Sequence, residues 1–229
     1  MKNIPIFTAV NGTASLILQE IPISGKSYVI LRSVWTTAEA LLGECFQFCR
    51  AAGAETVFAS YGTEPLPAAP AYDLIAMTCP RADLPQPRQA VELIPLTPEN
   101  GGAYLEVYNR CFRQVPGAAT YGQRDLQRLY GKNLAWLVRR QDTWAAVAEI
   151  GEEGLEAIGV LPWFRGLGYD LAATVLRLVP ADPLRLKVAS TNQQALALYG
   201  RLGFAAERVV SRWWQVEESL CIDGMDMLY

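Results

Sequence analysis

The chain of 229 residues contains no histidine. That absence removes every Ser-His-Asp and Cys-His mechanism and every histidine-ligated metal centre, and it leaves carboxylates as the natural proton acceptors. The five cysteines are odd in number and show neither CxxC nor zinc-type spacing, so no disulfide framework and no metal site is expected. Cys45 and Cys49 stand four apart on an expected helix beside Phe46 and Phe48, and they read as small core hydrophobes in a reducing cytoplasm. No apolar run approaches the roughly 20 residues of a membrane span. Residues 1–12 hold one lysine and too short an apolar stretch for a signal peptide. An excess of one charge is also missing. The 20 Lys and Arg and 23 Asp and Glu are interspersed, for a net charge of -3, with no basic stripe for nucleic acid and no polybasic membrane patch. Neither nucleic acid nor membrane is an expected partner, and 51% apolar residues suffice for a core.

Two elements between residues 156 and 204 carry the strongest signal. The first is a short apolar strand, Ala157 to Leu161, stopped by Pro162 and followed by Arg165-Gly166-Leu167-Gly168 and a helical pattern from Asp170 to Val179. A glycine-rich turn feeding a helix aims unpaired backbone N–H groups and the positive end of the helix dipole at one place, which makes an anion cradle. Arg165 adds a charge able to pair with phosphate. The turn has no Lys-Ser/Thr after its last glycine, and Leu171 stands where a dinucleotide fingerprint has its third glycine, so neither a nucleoside triphosphate nor NAD is expected. The second element is a strand, Leu184 to Ala189, that ends in Ser190-Thr191-Asn192 and opens a helix. Ala195, Leu198, Tyr199 and Leu202 recur there at helical spacing before Gly203.

The pattern V-x-P-x-x-R-G-x-G, followed by N-x-x-A-x-x-L-Y-x-x-L-G-F, resembles the GNAT superfamily of acyl-CoA-dependent N-acyltransferases. The match runs over Val160, Pro162, Arg165, Gly166, Gly168, Asn192, Ala195, Leu198, Tyr199, Leu202, Gly203 and Phe204. The resemblance implies an α/β (α+β) fold with a mixed central sheet flanked by helices. It also implies acetyl-CoA as cosubstrate without a metal, and direct transfer to the amine of a small molecule or peptide. By the same resemblance the backbone of Ile158, Gly159 and Val160 would hold the pantetheine arm and polarise the thioester carbonyl. Arg165 and the amides of Gly166, Leu167, Gly168, Asp170 and Leu171 would hold the pyrophosphate, Asn192 would contact the cofactor, and Tyr199 would protonate the departing thiolate. A phenol with its ordinary pKa near ~10 has that proton to give at neutral pH.

Two residues depart from the family pattern. Asp170 lies where Gly or Ala is usual, so its carboxylate either faces the pyrophosphate or turns to solvent from the first turn of its helix. Lys187 occupies a strand position where some relatives carry a glutamate base. Glu149 and Glu156 flank the expected hairpin turn Gly151 to Gly154 and are the candidate bases, against a plain reading as solvated strand residues. The modest acidity of the chain favours a cationic acceptor.

Proline-rich connectors at Pro65 to Pro70 and Pro80 to Pro87 suggest a boundary near residue 88, giving an N-terminal domain 1–88 and a transferase domain 89–229. In the second domain, Gln89 to Leu96, Leu134 to Arg139 and Thr143 to Ile150 read as strands, and Glu99 to Phe112 and Arg124 to Tyr130 as helices. The resemblance implies that the loop Arg113 to Gln123 would form the acceptor pocket, against a plain reading as a surface loop. At an offset of 130, Tyr28 to Ser60 lies over Ile158 to Ser190 without gaps, which suggests a degenerate β-β-α-β repeat. Trp35, Thr36 and Ala38 then replace Arg165, Gly166 and Gly168, so the repeat should hold no CoA. Two rival readings remain open: a non-catalytic acyl-CoA-binding scaffold, and a structural subunit or homodimer joined through Trp213-Trp214 and Met225 to Tyr229.

Overall fold

The computed structural model describes residues 6–217, and these fall into two units, residues 6–74 with 209–217, and Ile75–Arg208. The first contains strands β1 (Ile6–Ala9) and β2 (Gly12–Ile17), the short helix α1 (Ile21–Ser24), β3 (Lys26–Val34), helix α2 (Ala38–Ala51), β4 (Thr56–Ser60) and the start of β5 (Ala69–Cys79). β1, β2 and β3 pair antiparallel, whereas β3 and β4 run parallel, as a strand-helix-strand crossover requires. The Thr37 hydroxyl caps α2 by accepting the Ala40 N–H at 3.2 Å. The helix buries Leu41, Leu42, Cys45, Phe46 and Cys49 at three- and four-residue spacing. That stripe packs on Val29, Leu31 and Val57, so both cysteines are core residues, as expected.

The second unit continues with β6 (Ile94–Pro95), α3 (Gly101–Phe112), α4 (Gln123–Leu129), β7 (Ala135–Arg140), β8 (Thr143–Ile150), β9 (Gly154–Val160), α5 (Leu167–Leu176), β10 (Leu184–Ala189), α6 (Gln193–Arg201) and β11 (Ala205–Val216), whose end enters the first unit. Within it the strand order is β5, β10, β9, β8, β7, β6; β6 to β9 pair antiparallel and β9 with β10 parallel. Central β8 is covered on both faces, which explains the run of small apolar residues from Ala145 to Ala148. Ala146, Ala148 and Ile150 join Leu171 and Val175 of α5 in one core. Val147 joins Tyr104 of α3 and Leu126 of α4 in the other. The mixed sheet flanked by helices agrees with the sequence reading, and the first unit carries the degenerate β-β-α-β segment as β2, β3, α2 and β4.

Three expectations need correction. The N-terminal segment of the first unit ends at Leu74, ahead of the boundary expected near residue 88. The proline-rich segment is docked on the second unit: Arg81 N–H donates to Asp182 Oδ1 at 3.0 Å, and Arg177 Nη2 donates to Leu84 O at 3.0 Å. Of the strand expected over Gln89 to Leu96 only Ile94–Pro95 forms. The C-terminal residues do not all belong to the transferase half, because β11 pairs antiparallel with β4 and sets Trp214 opposite Ala59. Trp214 packs on the first unit's core, and Trp213 stacks on Tyr72 at 6.0 Å. Met225 to Tyr229 lie outside the described residues. No helix among the described residues is long and apolar enough to cross a membrane.

Candidate functional site

β9 and β10 pair at only two positions, Gly154 with Arg185 and Leu155 with Leu186. β9 then parts from β10 while remaining paired with β8 up to Val160. The parting coincides with a register shift. Glu149 lies opposite Ala157 but Ile150 lies opposite Leu155, which leaves Glu156 as an extra, bulged residue. A bulge bends its strand and ends pairing, so Glu156 opens the gap. Leu161 N–H donates to Ala145 O at 2.9 Å. By the alternation of an antiparallel ladder, Gly159 therefore also bonds to β8, and the backbone groups of Ile158 and Val160 face the gap.

Helix α5 starts at the mouth of this gap. Gly166 precedes it with φ 100°, and no side chain caps the helix. That conformation is strained for any residue with a Cβ, hence the glycine. The first four N–H groups of a helix lack intrahelical partners, which here are those of Gly166, Leu167, Gly168 and Tyr169. An added Cβ at Gly168 would lie 3.7 Å from Val160 Cγ2 and 3.8 Å from Leu198 Cδ2, so β9, α5 and α6 converge there. Arg165 is exposed at the turn. The corresponding helix of the first unit differs twice over: Thr37 caps α2, and β3 pairs with β4 continuously from Lys26 to Ile30.

The Leu171 N–H falls within the helix ladder and its side chain is fully buried in the core, so Leu171 does not belong to the cradle. Asp170 is buried, and its Oδ1 accepts the backbone N–H groups of Arg88 at 2.7 Å and Gln89 at 3.4 Å. Its carboxylate thus faces neither the cradle nor solvent but holds the segment that leads to β6. Asn192 Oδ1 caps α6 by accepting the Ala195 N–H at 3.2 Å. On the same helix, one residue beyond Leu198, the Tyr199 side chain is buried, and burial pushes its pKa up to about 12. No hydrogen bond engages its hydroxyl among the described residues.

The opposite side of β9 is packed by α3. A Cβ on Gly159 would come within 2.7 Å of Cys111 Cβ and 3.0 Å of the Phe112 ring, so this glycine sets the close approach of helix to strand. Glu149 on β8 points to the same side and is 2% exposed. Arg128 Nη2 donates to its Oε1 at 2.9 Å, and Tyr121 Oη donates to its Oε2 at 2.9 Å. Burial raises the Glu149 pKa, against the smaller opposing effects of Arg128 and the Tyr121 hydrogen bond. Tyr121 belongs to the expected acceptor loop, and Asn109 of α3 fixes it there. Tyr121 N–H donates to Asn109 Oδ1 at 2.8 Å, and Asn109 Nδ2 donates to Tyr121 O at 3.0 Å. The Tyr121 ring also stacks on Tyr108 at 3.7 Å. The exposed Glu156 stands at the bulge, and the two candidate carboxylates interact electrostatically. The sequence placed Tyr121 in the expected acceptor loop without a role of its own, and Arg128 and Cys111 carried no local signal.

No protein-family model and no curated protein matches the sequence. Solved structures do match. A functionally unknown conserved protein from Staphylococcus epidermidis shares 15% identity over 95% of both chains, with a TM-score of 0.61. A GCN5-related N-acetyltransferase from Sphaerobacter thermophilus shares 14% over 90% of this chain and 76% of its own, at 0.54. A tandem GNAT protein from the clavulanic acid biosynthesis pathway shares 16% over 90% and 79%, at 0.51. The chain has the GNAT fold.

Proposed function

We propose that the second unit is an N-acetyltransferase that moves an acetyl group from acetyl-CoA directly to a primary amine of a small molecule or peptide. The observation that carries this reading is the joining of an unpaired strand edge to an uncapped helix N-terminus. Ile158 and Val160 offer backbone groups to an amide-bearing arm and a thioester, and Gly166 to Tyr169 offer four N–H groups to its pyrophosphate. Arg165 adds a charge at the same turn. The pyrophosphate site excludes the Asp170 carboxylate and Leu171.

In this reading Tyr199 gives its proton to the departing thiolate, and a pKa near 12 keeps that proton available at any physiological pH. The attacking amine loses its proton to the Tyr121 oxygen as Tyr121 passes its own to Glu149 along the existing 2.9 Å hydrogen bond. The raised proton affinity of Glu149 suits it to receive that proton. Glu156 serves in the opening of the gap rather than as the base.

One observation favours a second reading, an acyl-CoA-binding scaffold without catalysis: Arg128 and Tyr121 already engage both oxygens of Glu149. Calorimetric titration with acetyl-CoA, followed by thiol release in the presence of amines, separates the two. The transferase reading expects binding by wild type and by Tyr199→Phe, none by a folded Gly168→Glu, and a fall in kcat for Tyr199→Phe of about a hundredfold or more. Binding without thiol release from any amine leaves the scaffold. No binding by wild type removes both.

A further inference from the structure

We infer that the acceptor amine also carries an oxyanion, a carboxylate or phosphate, and that Arg110 binds it; this rests on the transferase reading above. The chain as a whole is weakly acidic, but the α3–α4 region has the opposite sign. Residues 110–132 hold Arg110, Arg113, Arg124, Arg128 and Lys132 against a single acidic residue, Asp125. The Asp125 carboxylate accepts the Gly122 N–H at 3.0 Å, and Arg128 is committed to Glu149. The local field decides which ligands are drawn to a site, so the net charge of -3 does not describe this one.

Arg110, unlike Arg128, is held in a defined orientation without a carboxylate partner among the described residues. Its guanidinium lies over the Trp163 ring, 4.4 Å from the centroid, and no carboxylate is within ion-pair reach of it among the described residues. The contact is exposed, with Trp163 itself 57% accessible, so it is not the product of core packing. Stacking on an aromatic face fixes the plane of a guanidinium while leaving its N–H edge open, which is the geometry for two parallel bonds to a carboxylate or phosphate.

The position is equally specific. Arg110 immediately precedes Cys111, which packs against Gly159, and Trp163 follows Val160 by three residues. The guanidinium therefore stands on the α3 side of β9 near its end, beside the strand residues that face the gap. An amine delivered to a thioester held by Ile158 and Val160 from the α3 side, where Tyr121 and Glu149 await its proton, has the remainder of its molecule close to Arg110. The absence of a protein carboxylate there leaves the ligand to supply one.

Calorimetry on protein saturated with CoA reads acceptor binding whether or not the enzyme turns over. Matched pairs supply the probes: phenylalanine against phenethylamine for carboxylate, and phosphoethanolamine against ethanolamine for phosphate. Wild type is expected to bind the oxyanion-bearing member of at least one pair about tenfold or more tightly. Arg110→Met should bring that ratio near one, while Arg185→Gln, opposite Gly154 at the other end of β9, should keep it. The larger ratio identifies the anion. Plain amines bound as tightly as their partners, no binding by any probe, or an unchanged ratio in Arg110→Met would overturn the inference and leave the acetyl-CoA site standing. Failure of CoA itself to bind defeats the transferase reading.

Discussion

Asp170 Oδ1 lies 2.7 Å from the backbone nitrogen of Arg88. A carboxylate in the first turn of the helix that shapes the anion cradle is thereby turned onto the chain segment leading to β6. The same segment places the Arg88 guanidinium 4.4 Å from the Tyr169 ring centroid. Like-charge repulsion against a phosphate is avoided because the carboxylate does not face the orphan amides. Asp170→Ala should therefore cost stability, about 1.5–3 kcal/mol for lost hydrogen bonds to a charged acceptor, read by urea denaturation. Acetyl-CoA affinity should hold. A clear gain in affinity would show that the carboxylate had been repelling the cofactor after all.

Cys111 packs against Gly159, on the strand whose neighbours face the gap, and among the described cysteines it is the one best placed to suggest an acyl-enzyme. Burial pushes its pKa up to about 11, and the nearby Arg110 lowers it only in part. The thiolate is the nucleophilic form, so little of it exists at neutral pH. Initial-rate plots with both substrates varied should give intersecting lines, and iodoacetamide at pH 7 should modify Cys111 slowly. Parallel lines, together with an isolable acetyl-Cys111, would replace direct transfer by a covalent route.

Local pattern made some of this legible and left the rest hidden. β8 and β10 fall at the residues expected, because each is a short run of apolar and alternating residues bounded by turns. Both motif elements came into one place for the same reason: the glycines and the proline act within a few residues of themselves. What escaped depends on partners distant in sequence. Gln89 to Leu96 has strand-like composition, yet its first amide and that of Arg88 before it are taken by Asp170, some 80 residues on. Glu149 looked like a solvated hairpin residue until Tyr121 and Arg128 closed over it. The bulge at Glu156 exists only as a register between two strands.

The titration of Glu149 should appear in the stability of the fold. Burial raises its pKa above the ordinary 4.5, with Arg128 and Tyr121 opposing. The folded state then holds this proton more tightly than the unfolded chain. Its contribution is complete below the ordinary pKa and is lost as pH rises through the folded one. Glu149→Gln cannot titrate. The stability of wild type minus that of the variant should therefore fall as pH rises from about 4.5 and then level off, as measured by denaturant unfolding across pH 4 to 8. A difference that grows with pH would mean that the Arg128 ion pair outweighs burial.

The parallel pairs β3–β4 and β9–β10 differ at the ends that lead to their helices. β3 and β4 are paired from Lys26 with Thr56 to Ile30 with Ser60, and the helix between them is capped by Thr37. β9 and β10 separate after Leu155, and the helix between them starts uncapped at Gly166. An amide without a partner exchanges with solvent far faster than one in a ladder. In the free protein the Ile158 and Val160 amides should thus exchange faster than that of Gly159, which bonds to β8. Acetyl-CoA should slow them about tenfold or more while leaving the β3 amides from Lys26 to Ile30, already paired, unchanged. Residue-resolved hydrogen exchange by NMR checks both halves of this expectation. Protection of Ile158 and Val160 before any cofactor is added would mean that the strands close on each other in solution. Slowing at β3 instead would give the cofactor to the first unit, against the loss of its glycine cradle.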